Sequence, residues 1–108
     1  MGVKGDKESS KGNNAIEALM EKLDSIEGLT YKKMFGGFGL FHESRMFGIV
    51  NSKGDSYFKV NEQTKQSYLK ANSEQHSKMP YFTIPIVVLN NHDLLNKWAK
   101  ESIEISKK

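Results

Sequence analysis

Cysteine is absent from this 108-residue chain. The absence excludes a disulfide framework, thiolate metal sites and cysteine catalysis, and it fits a reducing cytoplasm, the expected location. Proline is scarce, with only Pro80 and Pro85. No run approaches the roughly 20 apolar residues that a bilayer-spanning helix needs, so no membrane association is expected. The opening stretch, MGVKGDKESSKGNN, lacks the apolar core of a secretory signal. An excess of one charge is missing too: 16 Lys and Arg stand against 13 Asp and Glu, a formal net charge of +3. The acids are interspersed among the bases, which reads as a mixed solvated surface rather than a nucleic-acid footprint. What is present is 37% hydrophobic and 10% aromatic content. For a chain of this length that supports one globular domain with a modest core.

The apolar periodicity places the elements. Residues 1–13 offer almost nothing to bury and read as a flexible tail, leaving 14–108 as the single domain. Ile16, Leu19, Met20, Leu23 and Ile26 recur at helical spacing, with Asn13 or Asn14 as cap and Gly28 as stop. From Leu29 to Val60 the period changes to two. Aromatic and branched runs separated by glycine or polar breaks then predict a meander of antiparallel strands. Glu43-Ser44 is spaced as a two-residue hairpin turn, although its chemistry suits one poorly. Asn51 to Asp55 is a far better turn sequence. Asn61 caps a short helix from Glu62 to about Ala71. A strand from Met79 to Ile84 follows, with Pro80 at its edge or at a bulge. Val87 to Leu89 form a single apolar turn. The last helix has Leu94, Leu95, Trp98, Ser102 and Ile105 on its inner stripe. The expectation is an α+β fold of two layers: an antiparallel sheet of about five strands packed by helices, in the order α-β-β-β-β-α-β-α. Helices cover one face, and the other face is partly open or used for association.

Chemical motifs are few. His42, His76 and His92 do not share the short spacing of a metal site, so neither a metal nor another cofactor is expected. Gly36-Gly37-Phe38-Gly39 lacks the ending of a phosphate loop and leads into a strand, so bending or close packing explains it better. No nucleophile elbow or triad is framed, and no catalytic residue is assigned. Basic residues interleaved with aromatics are the best hint of binding. Lys32, Lys33, Arg45 and Lys59 lie in or beside strands carrying Tyr31, Phe35, Phe38, Phe41, Phe47, Tyr57 and Phe58. Such a surface can stack bases while cations meet phosphates, yet most of these aromatics are needed for the core.

Met34-Phe35-Gly36-Gly37-Phe38-Gly39-Leu40, Arg45-Met46-Phe47-Gly48-Ile49-Val50 and Tyr57-Phe58-Lys59-Val60 form ordered blocks. Met79-Pro80-Tyr81-Phe82 with Ile84-Pro85, and Leu94-Leu95 with Trp98-Ala99, follow in order. Together, from about Ala15 to Ser102, they make the chain resemble the N-terminal domain of the TfoX/Sxy proteins, bacterial regulators linked to natural competence. The resemblance implies a two-layer α+β fold and a regulatory role through partner binding, with no catalytic residues to transfer. Full-length regulators of this kind carry a second, helical C-terminal domain, whereas this sequence stops at Lys108. Glu43-Ser44 stands where the family often has Asp-Gly.

The leading expectation is therefore a non-catalytic, stand-alone domain that acts by associating with a regulatory protein partner, with homodimerisation through the sheet or its edge. A single-stranded nucleic-acid binder is the alternative and is not favoured. A small-ligand or enzymatic cleft near Gly36-Gly37, Arg45 and Tyr81 is the third. The candidate binding residues are Lys33, Gly36, Gly37, Arg45, Lys59 and Tyr81.

Overall fold

A computed structural model describes residues 6–34 and 36–108. The order is α1 (Asp6–Lys22), β1 (Leu29–Met34), β2 (Gly37–His42), β3 (Arg45–Val50), β4 (Ser56–Lys59), α2 (Glu62–Lys70), β5 (Tyr81–Thr83), α3 (Ile86–Leu89) and α4 (His92–Ser106). The five strands form one sheet in sequential order, and every neighbouring pair is antiparallel. This is the expected α+β architecture.

The core lies between one face of the sheet and the helices. Ile16, Leu19 and Leu23 of the α1 stripe meet Phe38, Leu40, Phe47, Val50 and Phe58 from the strands and Leu95, Ala99 and Ile103 from α4. On the α2 side, the Tyr68 ring lies 4.6 Å from Trp98 and 6.3 Å from Phe82. Burial in this cluster pushes the Tyr68 phenol above its ordinary pKa.

One irregularity sets the sheet's facing. Leu40 opposes Gly48, but Phe41 opposes Met46, so Phe47 is one extra residue on β3. A bulge of this kind breaks the strict alternation of faces. Gly48 pairs with Leu40 on the core face, and Phe47 turns to the same face, where its ring lies 6.0 Å from Phe58 and is fully buried. The core face has room for both only because Gly48 has no side chain: a Cβ there would come within 2.9 Å of Leu40 Cδ1. The bulge that the sequence suggested at Gly36-Gly37 is thus found at Phe47-Gly48. Gly37 instead packs on the backbone of Val50 and Asn51, with no space for a side chain.

Three helical expectations need adjustment. The α1 helix begins at Asp6, inside the segment read as a tail; residues 1–5 lie outside the described residues. No proline interrupts the segment, so a helix nucleated by the packed stripe extends backwards at little cost. The helix ends at Lys22 rather than near Ile26, because buried Asn96 of α4 donates to the Lys22 carbonyl at 3.0 Å and to the His92 carbonyl at 2.7 Å. Ser25 in turn donates to Asn96 Oδ1 at 2.8 Å. In α4, Leu95, Asn96, Ala99, Ser102, Ile103 and Ser106 are the buried residues, while Leu94, Trp98 and Ile105 flank them half-exposed. Ser102 sits inside because its hydroxyl donates to the Lys59 carbonyl at 2.7 Å. The cap at Asn61 is as expected, a reciprocal capping box with Thr64, and Asn91 caps α4 by accepting from the Leu94 amide.

The Glu43-Ser44 hairpin forms with both residues at positive φ, 52° and 70°. The spacing demands that geometry even though neither residue favours it. Replacing Ser44 with glycine removes a left-handed strain of roughly 1–2 kcal/mol against some added chain entropy, so S44G should gain about 0.5–1 kcal/mol. A higher denaturant midpoint at unchanged slope is the expected reading. Asn96→Leu should cost about 1–3 kcal/mol, because it strands the Lys22 carbonyl at a buried helix end. The same denaturation experiment measures it.

Candidate functional site: the outer face and the open edge of the sheet

The sequence-selected residues do not converge. Lys33 pairs with core-facing Phe38 and points to the helical side at the margin of β1. Lys59 pairs with Tyr81, one residue out of phase with core-facing Phe58 and Phe82, and so points to the outer face. Arg45 lies at the β2–β3 turn, while Gly36 and Gly37 lie at the opposite end of β2. Six strand residues separate these ends, roughly 17 Å. A shared cleft at Gly36-Gly37, Arg45 and Tyr81 is therefore not built.

Tyr81 has a structural task. It is buried on the outer face, and its hydroxyl donates to the Met46 carbonyl at 3.2 Å, crossing over β4 to tie β5 to the bulged strand. Burial pushes its phenol up to about 12. Tyr57 lies beside it on the same face. Its hydroxyl accepts from Asn51 Nδ2 at 3.3 Å, and its ring meets His76 edge-on at 4.8 Å. Burial first, and the nearby carboxylates of Asp55 and Glu74 next, raise the Tyr57 pKa against the opposing Asn51 hydrogen bond. Among the described aromatics, only Tyr31 is well exposed, at 43%, and its ring packs edge-on against Phe38 at 5.5 Å. Lys32 lies over the Phe41 ring at 5.5 Å. A flat array of free rings for stacking bases is missing from the described residues.

Two features remain on this side of the molecule. The first is a small cavity of about 100 Å³ on the outer face, lined by Met34, Met46, Met79, Ile49 and His76 among others. Bare Gly39 lets two of these methionines pack over β2, since an added Cβ there would lie 2.6 Å from the Met34 sulfur, 2.8 Å from the Met46 sulfur and 3.1 Å from Phe41 Cε1. The two thioethers reach from β1 and β3 across the bare backbone of β2.

The second feature is the sheet edge. At the β5 end, residues 74–76 cover the strand: the Thr83 amide donates to the Glu74 carbonyl at 2.9 Å, and the His76 amide to the Tyr81 carbonyl at 2.8 Å. At the other end, β1 pairs with β2 alone among the described residues, and Thr30, Tyr31, Lys32 and Lys33 are exposed. Such a row of unpaired amides and carbonyls is a template for another strand.

The helical layer carries a broader, open polar groove of about 510 Å³ beside His92, Asn96, Lys97 and Lys100. Its one notable group is His92, whose Nε2 lies 3.1 Å from Asp24 and whose Nδ1 lies 3.3 Å from Asp93. Hydrogen bonds to Asp24 first, then to Asp93, raise its pKa above 6.5.

An antiparallel five-stranded meander packed by helices defines a small α+β domain. The family described as the TfoX N-terminal domain matches residues 21–106, and the chain belongs to that family. Comparison with curated proteins gives no match. Among the described residues, no helix is long and apolar enough to cross a membrane.

His92 supplies a pH prediction. Its folded pKa is raised, so whatever the Asp24–His92 tether contributes is fully present below the unfolded value of about 6.5 and is lost as pH rises through the folded value. Proton NMR titration should show His92 titrating above 6.5, and Asp24→Asn should move it downward. A His92 pKa unchanged by D24N would contradict the contact.

Proposed function

We propose that the chain is a non-catalytic regulatory domain that works in the cytoplasm by taking a strand of a partner protein onto the open edge of β1. The observation that carries this reading is the asymmetry of the two sheet edges. Residues 74–76 cover β5, whereas among the described residues the exposed centre of β1 keeps one side unpaired. Strand addition draws its affinity from main-chain hydrogen bonds and its specificity from alternate side chains. Here the alternate side chains are informative, because adjacent Lys32 and Lys33 lie on opposite faces of the strand. An extended segment with acidic residues on both faces matches them. A second copy of the chain is the weaker occupant, because pairing centred on Lys32 or Lys33 sets lysine against lysine.

The test uses two extended peptides rich in β-branched residues, identical except that one carries adjacent glutamates where the other carries lysines. The glutamate peptide should shift the amide signals of residues 29–34 and bind several-fold more weakly as salt rises. Lys32→Glu with Lys33→Glu should invert the preference. Equal binding of both peptides, or signal changes that avoid β1, would sink the reading. Sedimentation at micromolar concentration decides the self-pairing alternative: a concentration-dependent dimer that K32E/K33E alters would put a second copy on the edge.

A further inference from the structure

The outer-face cavity concentrates sulfur in a way the rest of the chain does not. Of the five methionines in the sequence, Met34, Met46 and Met79 all line this one space of about 100 Å³. They come from three separate segments: β1, β3 and the 71–80 loop. Two of the sulfurs converge above Gly39 at 2.6 and 2.8 Å from the position of an added Cβ, so their separation cannot exceed those two distances laid end to end. Two sulfurs on one cation at about 2.3 Å each, the length of a zinc–thiolate bond, lie at most twice that length apart, a spacing that this upper limit admits.

A fourth group shares the lining. His76 contributes an imidazole whose Nδ1 is shielded from solvent and has no hydrogen-bond partner. Buried polar nitrogens are seldom left so, and an orphaned one calls for a ligand, an ion or a water. The lining contains no carboxylate. A divalent cation would thus bring two uncompensated charges into a largely apolar space, whereas a monovalent one brings only one. Thioether and imidazole together select soft, low-charge copper over magnesium, calcium or manganese, which demand oxygen. The volume also discriminates, since organic ligands ordinarily need about 300 Å³ or more.

We propose that Met34, Met46 and His76 form a binding site for a soft monovalent metal ion, Cu(I), with Met79 as a further thioether at the rim. No spacing rule for histidine and cysteine could have found it, because its donors are methionines brought together by strand register. The proposal does not rest on edge pairing, although Met34 belongs to β1. A bound ion would join β1, β3 and the loop before β5 through bonds that the apolar contacts lack, and so would stabilise the folded chain by mass action.

The experiment titrates the full chain with Cu(I) under anaerobic, reducing conditions against a chromogenic Cu(I) chelator. Native mass spectrometry with Ag(I) serves as a redox-inert check of stoichiometry. One equivalent should bind and raise the melting temperature. Met34→Leu and Met46→Leu preserve apolar volume and should leave the fold intact by circular dichroism. Each should weaken Cu(I) binding at least tenfold, as should His76→Phe, and Met79→Leu should weaken it less. The leucine variants separate metal coordination from generic apolar filling, which they would leave unchanged. Failure to compete with the chelator, or Cu(I) binding that survives in the M34L/M46L double variant, would overturn the proposal.

Discussion

The one-residue bulge at Phe47 is the constraint on which the rest of the sheet depends. Strict alternation would put Phe47 on the outer face, opposite in sense to Gly48 and Val50. The extra residue turns it inward instead, beside Gly48, so that the core gains a fully buried phenylalanine worth about 2–3 kcal/mol in apolar burial. The absence of a Gly48 side chain is the condition for this, since Leu40 already occupies the space that a Cβ would take. Bulge and glycine are one device. Either alone would leave a clash or a void.

The same device organises the other face. With Phe47 turned in, Met46 pairs with Phe41 on the outer side, on the opposite flank of Gly39 from Met34. The Met46 carbonyl, next to the bulge, receives the Tyr81 hydroxyl. A chain of this size has helices for only one side of its sheet, and α1, α2 and α4 are all committed to the core. The outer face is therefore shielded by its own side chains and by the segment that runs into β5: Tyr57, Tyr81, His76 and the methionines take the place of a missing layer. That self-made cover explains why Tyr57 and Tyr81 are buried and unavailable for stacking.

Most of the architecture was legible because it rests on period and spacing. The strands announce themselves by alternation, and the cap at Asn61 by its position. The β2–β3 hairpin is readable from a two-residue gap even though Glu43 and Ser44 resist the required φ. What was not legible depends on relative placement. Lys33, Arg45 and Lys59 look like one basic set in the sequence, but facing parity and strand length send them to different sides and ends of the sheet. The α4 stripe was misjudged by a fraction of a turn. Periodicity alone ranked Leu94 and Trp98 with Leu95 and missed Asn96, which the end of α1 draws inward; Ser102, on the expected stripe, is held there by the Lys59 carbonyl. The outer cavity had no local signal at all. It requires Gly39 to be bare, Met34 to be diagonal to it on one side, and a bulge to set Met46 on the other.

The open edge and the outer face meet in β1, and this gives the strand an unusual position. Among the described residues, its exposed centre, Thr30 to Lys33, pairs with β2 alone, while its last residue, Met34, reaches into the cavity shared with β3 and the loop before β5. An edge strand tied on one side by backbone bonds alone opens at lower free energy than a strand within the sheet. Contacts at Met34 therefore restrain the end of the very strand whose free side is exposed. Filling the cavity would reduce the ordering that a partner strand must impose, since a pre-ordered edge loses less entropy on pairing. Among the described residues, the fold has no second strand with this combination. A partner strand on β1 and an occupant of the outer cavity would thus act on one six-residue element.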